Sequence, residues 1–243
     1  EQTLVTHLVE LRNRLLRSIV VVMAVFAALF PISNRLYTWV ARPLMSHLPE
    51  GTRMVAIDVV TPFLTPLKLT FFCAIFVAMP YLLYQAWAFI APGLYRHEKR
   101  LASPLLVSSV FLFYLGCAFA YFIVMPTVFG FLTATVPDGV SMMTDISRYL
   151  DFVLVLFLVF GLCFEIPVAT VILVSLGITT PEQMRASRGY VIVGAFVVAA
   201  VVTPPDALSQ IMLAVPMCVL FEIGLIAARI VARRSTDAPA SSS

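Results

Sequence analysis

Six long apolar runs decide most of what this chain can fold into: residues 15–31, 67–92, 104–127, 149–176, 190–203 and 207–228. A helix needs about 20 apolar residues to cross the ~30 Å hydrocarbon core of a bilayer. Apolar residues make up 61% of the 243, and the mean hydropathy is +0.99, more than a soluble domain of this length can hide. The runs are continuous and do not alternate, which excludes a β-barrel. The expectation is an all-α integral membrane protein with six transmembrane helices. One membrane domain, 1–230, would be followed by a basic, Ser/Ala-rich, disordered tail, 231–243.

Cation placement orients the spans. Arg12, Arg14, Arg17, Arg96, Lys99, Arg100, Arg185, Arg188, Arg229, Arg233 and Arg234 fall on one side of the six-span arrangement. Arg35, Arg42, Arg53, Lys68 and Arg148 fall on the other. The richer side is read as cytoplasmic, with both termini inside. Glu10, Arg12 and Arg14 precede the first run, Arg17 lies at its start and no small-residue cleavage site follows it, so the N-terminus does not read as a cleavable signal peptide. Cys73, Cys117, Cys163 and Cys218 lie in apolar runs without metal-ligand spacing and read as small core residues.

Residues 1–17 carry Leu4, Leu8, Leu11 and Leu15 at helical spacing, with Glu10, Arg14 and Arg17 on another face. They predict an amphipathic helix lying at the membrane interface. Glu10 has two readings: an i,i+4 partner for Arg14, or an acidic docking point beside Glu98. Spacing alone favours the first. The outer segment 32–66 predicts short helices, such as 35–41, and Thr61-Pro62 opens the second span.

Only 12% of the chain is charged, yet four of the five residues from 96 to 100 are, and Glu98 is the one acid among them. In the fourth run Glu165 stands two residues before Pro167. An intramembrane acid beside a helix breaker predicts a kinked, polar spot facing protein or water. Thr180-Pro181-Glu182-Gln183 matches a capping box and predicts a short helix. The run 190–203 is too short for an undistorted bilayer. It joins the sixth span through Thr203-Pro-Pro-Asp206, with Gln210 one turn further on, so both of the last two spans read as a short hairpin with a polar tip. Glu222, near the other end of span six, reads as an acid snorkelling toward water.

No span contains a histidine, and there is no phosphate-binding loop or zincin motif, so no enzyme is predicted. The residues alone leave open an ion-coupled small-solute transporter using Glu165, or a passive scaffold.

Four motifs narrow this. His7-Leu-Val-Glu-Leu-Arg12, Phe89-Ile-Ala-Pro-Gly-Leu-Tyr-Arg-His-Glu98, Phe164-Glu-Ile-Pro167 and Thr203-Pro-Pro-Asp206 together resemble TatC, the multispanning subunit of the twin-arginine protein translocase, over about residues 4–230. The resemblance implies a glove-shaped six-helix bundle in the bacterial inner membrane, its concave face open to the bilayer. Such a protein binds twin-arginine signal peptides of folded cargo at the cytoplasmic surface and assembles with TatA, TatB and further TatC protomers. The proton-motive force drives it, and it calls for no cofactor, metal or nucleic acid. By motif, Glu10 and Glu98 would recognise the signal peptide, supported by Arg12, Phe89, Leu94 and Tyr95. Glu165 would hydrate the concave face and receive a partner's polar group. Thr203, Asp206 and Gln210 would contact partner helices.

Overall fold

The computed structural model describes residues 4–45, 53–55, 59–90, 99–134, 143–203 and 207–236. In chain order the elements are α1 (Leu4–Leu29), a 3-10 turn (Phe30–Ile32), α2 (Ser33–Met45), β1 (Arg53–Val55), α3 (Thr61–Ile90) and α4 (Lys99–Phe119). A π-helical stretch (Ala120–Val124), α5 (Met125–Ala134), β2 (Met143–Asp145) and α6 (Ile146–Cys163) follow. The chain continues through α7 (Ile166–Ser175), α8 (Pro181–Ala186), α9 (Arg188–Val202) and α10 (Ala207–Thr236). Among the described residues, five helical stretches are long and apolar enough to cross a membrane: Thr6–Trp39, Thr61–Ile90, Pro104–Phe131, Ile146–Ser175 and Gln210–Ala232. Arg188–Val202 is apolar but shorter. The chain divides into two compact units, Glu1–Pro92 with Met125–Leu156, and Gly93–Val124 with Phe157–Ser243.

In the first unit α1 is one uninterrupted helix. The separate interfacial helix predicted over 1–17 is corrected: no Pro or Gly lies between Leu4 and Leu29, so nothing ends the helix where the sequence turns apolar. Pro31 in the following 3-10 turn does. The predicted helix 35–41 is the middle of the longer α2. α3 begins at Thr61, as the Thr-Pro pair predicts. It packs against α1, with Phe26 edge-on to Phe71 at 5.8 Å between ring centres. The segments that follow α2 and α5 meet in a parallel ribbon, Arg53 opposite Met143 and Val55 opposite Asp145. Three-residue strands 90 positions apart leave no local pattern to read. Helix also extends past the predicted end of span three, through Ala134. The π-helical stretch stands directly before Pro126. That residue has no N–H for the carbonyl of Phe122, and its ring crowds the same carbonyl. A wider turn relieves the crowding.

The second unit contains the break predicted in span four. α6 stops at Cys163 and α7 restarts at Ile166, with Pro167 in its first turn. Between them the ladder tightens, Glu165 N–H donating to the Leu162 carbonyl at 3.0 Å. α7 ends in a Schellman motif: Ile178 N–H donates to Leu173 O and Gly177 N–H to Val174 O, with Gly177 at φ +68°. The predicted capping box is present, Thr180 Oγ1 accepting from Gln183 N–H and Gln183 Oε1 from Thr180 N–H. α9 has 15 residues, roughly 22 Å of helix, and accounts for the shortness of the hairpin. α10 has 30 residues and is not short. Helix-favouring Ala and Arg carry it to Thr236, past residue 231 where the sequence predicts the disordered tail to begin, and residues 237–243 lie outside those described.

Close helix contact in this unit depends on glycines. A Cβ on Gly116 would stand 2.5 Å from the Phe160 carbonyl oxygen, and one on Gly224 would stand 2.8 Å from Pro167 Cα and 2.9 Å from Thr170 Oγ1. Small residues let helix backbones approach where lipid supplies no hydrophobic drive for association. Gly224→Ala is therefore expected to cost about 1–3 kcal/mol through overpacking. Gly194→Ala, with nothing within 4 Å of the new atom, is expected to be neutral. Thermal denaturation of the two variants in micelles checks the contrast.

Candidate functional site

In the first unit a polar cluster joins the start of α1 to the end of α3. Arg14 Nε and Nη2 both donate to Glu10 Oε1, at 2.9 and 2.6 Å. Arg14 Nη1 donates to Gln85 Oε1 at 3.1 Å, and Gln85 Nε2 donates to the Tyr81 hydroxyl at 2.6 Å. Gln85 is buried, so its amide fixes where Arg14 sits, and Arg14 fixes Glu10. The two charged groups remain 23% and 30% exposed. Both Arg14 donors land on one oxygen of Glu10, and among the described residues Oε2 accepts no hydrogen bond. Beside this cluster His7 stacks on Phe89, ring centres 4.3 Å apart and planes 23° apart.

The structure brings Glu10 and Phe89 to the same end of the α1–α3 pair. Arg12 is exposed, and among the described residues its guanidinium reaches only Asn13 Oδ1, at 3.5 Å. Arg14, and not Arg12, neutralises Glu10. Leu94, Tyr95 and Glu98 lie outside the described residues, as does Asp206. Spacing identified the Glu10–Arg14 pair, but Gln85 and Tyr81 went unnoticed. A buried amide 71 residues away has no local signature.

In the second unit Glu165 sits in the gap between α6 and α7. Ser109 of α4, fully buried, donates its hydroxyl to Glu165 Oε2. Oε1 is buried and has no partner among the described residues. The broken ladder and the acid thus form one polar point inside a span. Along the sequence Ser109 is one of many serines, and nothing marked it.

At the hairpin Thr203 caps the end of α9. It is buried, and its hydroxyl donates to Ala199 O at 2.8 Å. Gln210 Nε2 reaches across from α10 to Phe196 O at 3.0 Å. Both side chains serve the hairpin's own backbone. At the hairpin's other end Arg188 Nη2 donates to Glu222 Oε2 at 2.5 Å. The acid read as snorkelling is therefore paired.

These features define a multi-pass helical membrane protein with a partly exposed carboxylate pinned at the end of one helix pair, and an acid set into a broken span. A family model described as Sec-independent protein translocase protein (TatC) matches residues 6–216. The chain is 58% identical over 228 residues to the Sec-independent protein translocase protein TatC of Haemophilus influenzae, covering 94% of this chain and 89% of that one. It is 55% identical to the protein of the same name from Escherichia coli K12, covering 94% and 88%. The fold is similar to the crystal structure of the twin arginine translocase receptor TatC, with TM-score 0.83, 35% identity, and coverage of 93% of this chain and 100% of that one. The chain belongs to the TatC family. Membership removes the small-solute transporter from the readings that the residues alone left open.

Proposed function

We propose that this chain is the signal-peptide receptor and core subunit of a twin-arginine translocase in the bacterial inner membrane, exporting folded proteins with the proton-motive force. Glu10 and Glu98 together read the two arginines at the cytoplasmic face. Arg12, Phe89, Leu94 and Tyr95 form the surrounding surface, and Glu165 acts later, when partner helices engage. The observation that supports this reading best is the pinned Glu10. Gln85 holds Arg14, Arg14 holds one oxygen of the acid, and the other oxygen is open to an incoming guanidinium among the described residues. A photo-crosslinking residue at Phe89 is expected to capture a twin-arginine precursor in membranes lacking TatA and TatB. Capture at Trp39 of α2 and none at Phe89 would overturn the reading.

The partners are TatA, TatB and further copies of the chain. Thr203, Asp206 and Gln210 at the hairpin tip accept the polar residue of a partner's single span, which lipid cannot satisfy. Gln210 Nε2 already donates across the hairpin, so a partner acceptor has only to exchange with the Phe196 carbonyl, and a partner donor can use Gln210 Oε1. Gln210→Leu combined with Thr203→Val is expected to lower crosslinking to partner helices about tenfold, the weight of one interhelical hydrogen bond. Unchanged crosslinking would remove the hairpin tip as the contact.

A further inference from the structure

Along the seam between α9 and α10 runs an open groove of about 400 Å³. Its walls include Ile192, Val215, Val219 and Ile223, each roughly half exposed. Arg188 and Glu222 lie toward the end of the groove away from the hairpin turn, with Ile226 one turn beyond Glu222, and Phe196 and Ala214 lie toward the other end. From Arg188 to Phe196 the groove follows about 12 Å of helix.

The polar end is incompletely satisfied. Glu222 takes only Nη2 of Arg188, and Arg188 Nε is buried without an acceptor among the described residues. No side chain caps α9, because the Ser187 hydroxyl donates to Gln183 O. The positive end of the helix dipole therefore adds to the guanidinium. Tyr190, 84% exposed, is the kind of residue that lies at headgroup level. A molecule completing this end needs an anionic oxygen for Arg188. It also needs a cationic donor for Glu222, since a bare anion would meet that carboxylate as well. For the rest of the groove it needs an apolar chain.

We propose that the α9–α10 groove seats one phosphatidylethanolamine, its phosphate on Arg188, its ammonium on Glu222, and an acyl chain along Ile192, Val215 and Val219. The lipid anchors the headgroup end of the short α9 and adds a second pair of partners to an ion pair whose side chains remain 40% and 42% exposed. A phosphatidylcholine offers the same phosphate, but its methylated ammonium has no N–H for Glu222. A phosphatidylglycerol offers no cation.

The test is native mass spectrometry of the full chain in micelles titrated with each of the three lipids. Phosphatidylethanolamine is expected to be retained about tenfold more tightly than phosphatidylcholine, the effect of one charge-assisted hydrogen bond. Glu222→Gln should erase that difference. Arg188→Gln should weaken all three lipids. Val215→Trp, which fills the groove from an exposed position, should remove the bound lipid, and Ile223→Trp serves if that variant does not fold. Equal retention of the three lipids, or retention unaltered by groove filling, would overturn the proposal. So would a benzophenone residue at Val219 that captures a protein helix in membranes and no phospholipid.

Discussion

Glu10→Gln combined with Glu98→Gln is expected to lower affinity for a twin-arginine signal peptide by about 100-fold, and each single change by about tenfold. A hydrogen bond to a charged group is worth about 1.5–3 kcal/mol net, and about 1.4 kcal/mol is a factor of ten. Gln keeps the size and one acceptor of Glu and loses the charge, so the effect reports ionic recognition and not packing. Peptide titration against the purified chain measures it. The Arg14 pairing adds a second signature. Because Arg14 holds Oε1 through two donors, an arriving guanidinium shares Glu10 and does not displace its partner. Arg14→Gln should therefore weaken binding too, by releasing Glu10 from its position over Gln85. Rising salt should weaken the wild type more than the double variant, since the site is partly exposed and screened.

Glu165→Ala is expected to reduce export about tenfold or more while leaving signal-peptide affinity within about twofold. The two acids lie in different compact units of the chain, and the hydrogen bond that holds Glu165 comes from Ser109 of its own unit. It lies in a span whose backbone ladder is already broken by Pro167. There it keeps a buried oxygen without a partner among the described residues. A carboxylate at the centre of a span costs about 2.5–3.5 kcal/mol on insertion scales, so its presence needs a use that alanine cannot supply. Transport into inverted vesicles, assayed beside peptide binding, separates the two effects. Normal export by Glu165→Ala would dispose of the role given to this acid.

The elements with local causes were legible in the sequence. Thr180 and Gln183 announced α8 three residues apart, Thr61-Pro62 announced α3, and Pro167 announced the break after α6. Features that depend on distant partners were not. β1 and β2 pair across 90 positions, and Ser109 finds Glu165 across 56. Gly116 and Gly224 are informative only because another backbone lies against them. Composition misled at the two ends of the chain. The sequence changes from amphipathic to apolar within α1, and from apolar to basic within α10. Helix propensity is indifferent to that change, so both helices run through it. At the candidate site the acids were visible as isolated charges in an apolar chain. The cation that holds Glu10 was visible too, as an i,i+4 partner. The amide that orients it was not, because a lone Gln in a span has no pattern of its own.

The central claim is that a carboxylate pair selects two adjacent guanidinium groups. Its most direct test is equilibrium binding of one signal peptide in twin-arginine and twin-lysine forms to the purified chain and to the Glu10→Gln, Glu98→Gln variant. Lysine keeps the charge but cannot make the paired, directional contacts of arginine. The account predicts that the wild-type chain prefers the arginine form by at least about tenfold and that the variant has no preference. A wild-type chain that binds both forms equally, or a variant that still discriminates between them, would contradict it.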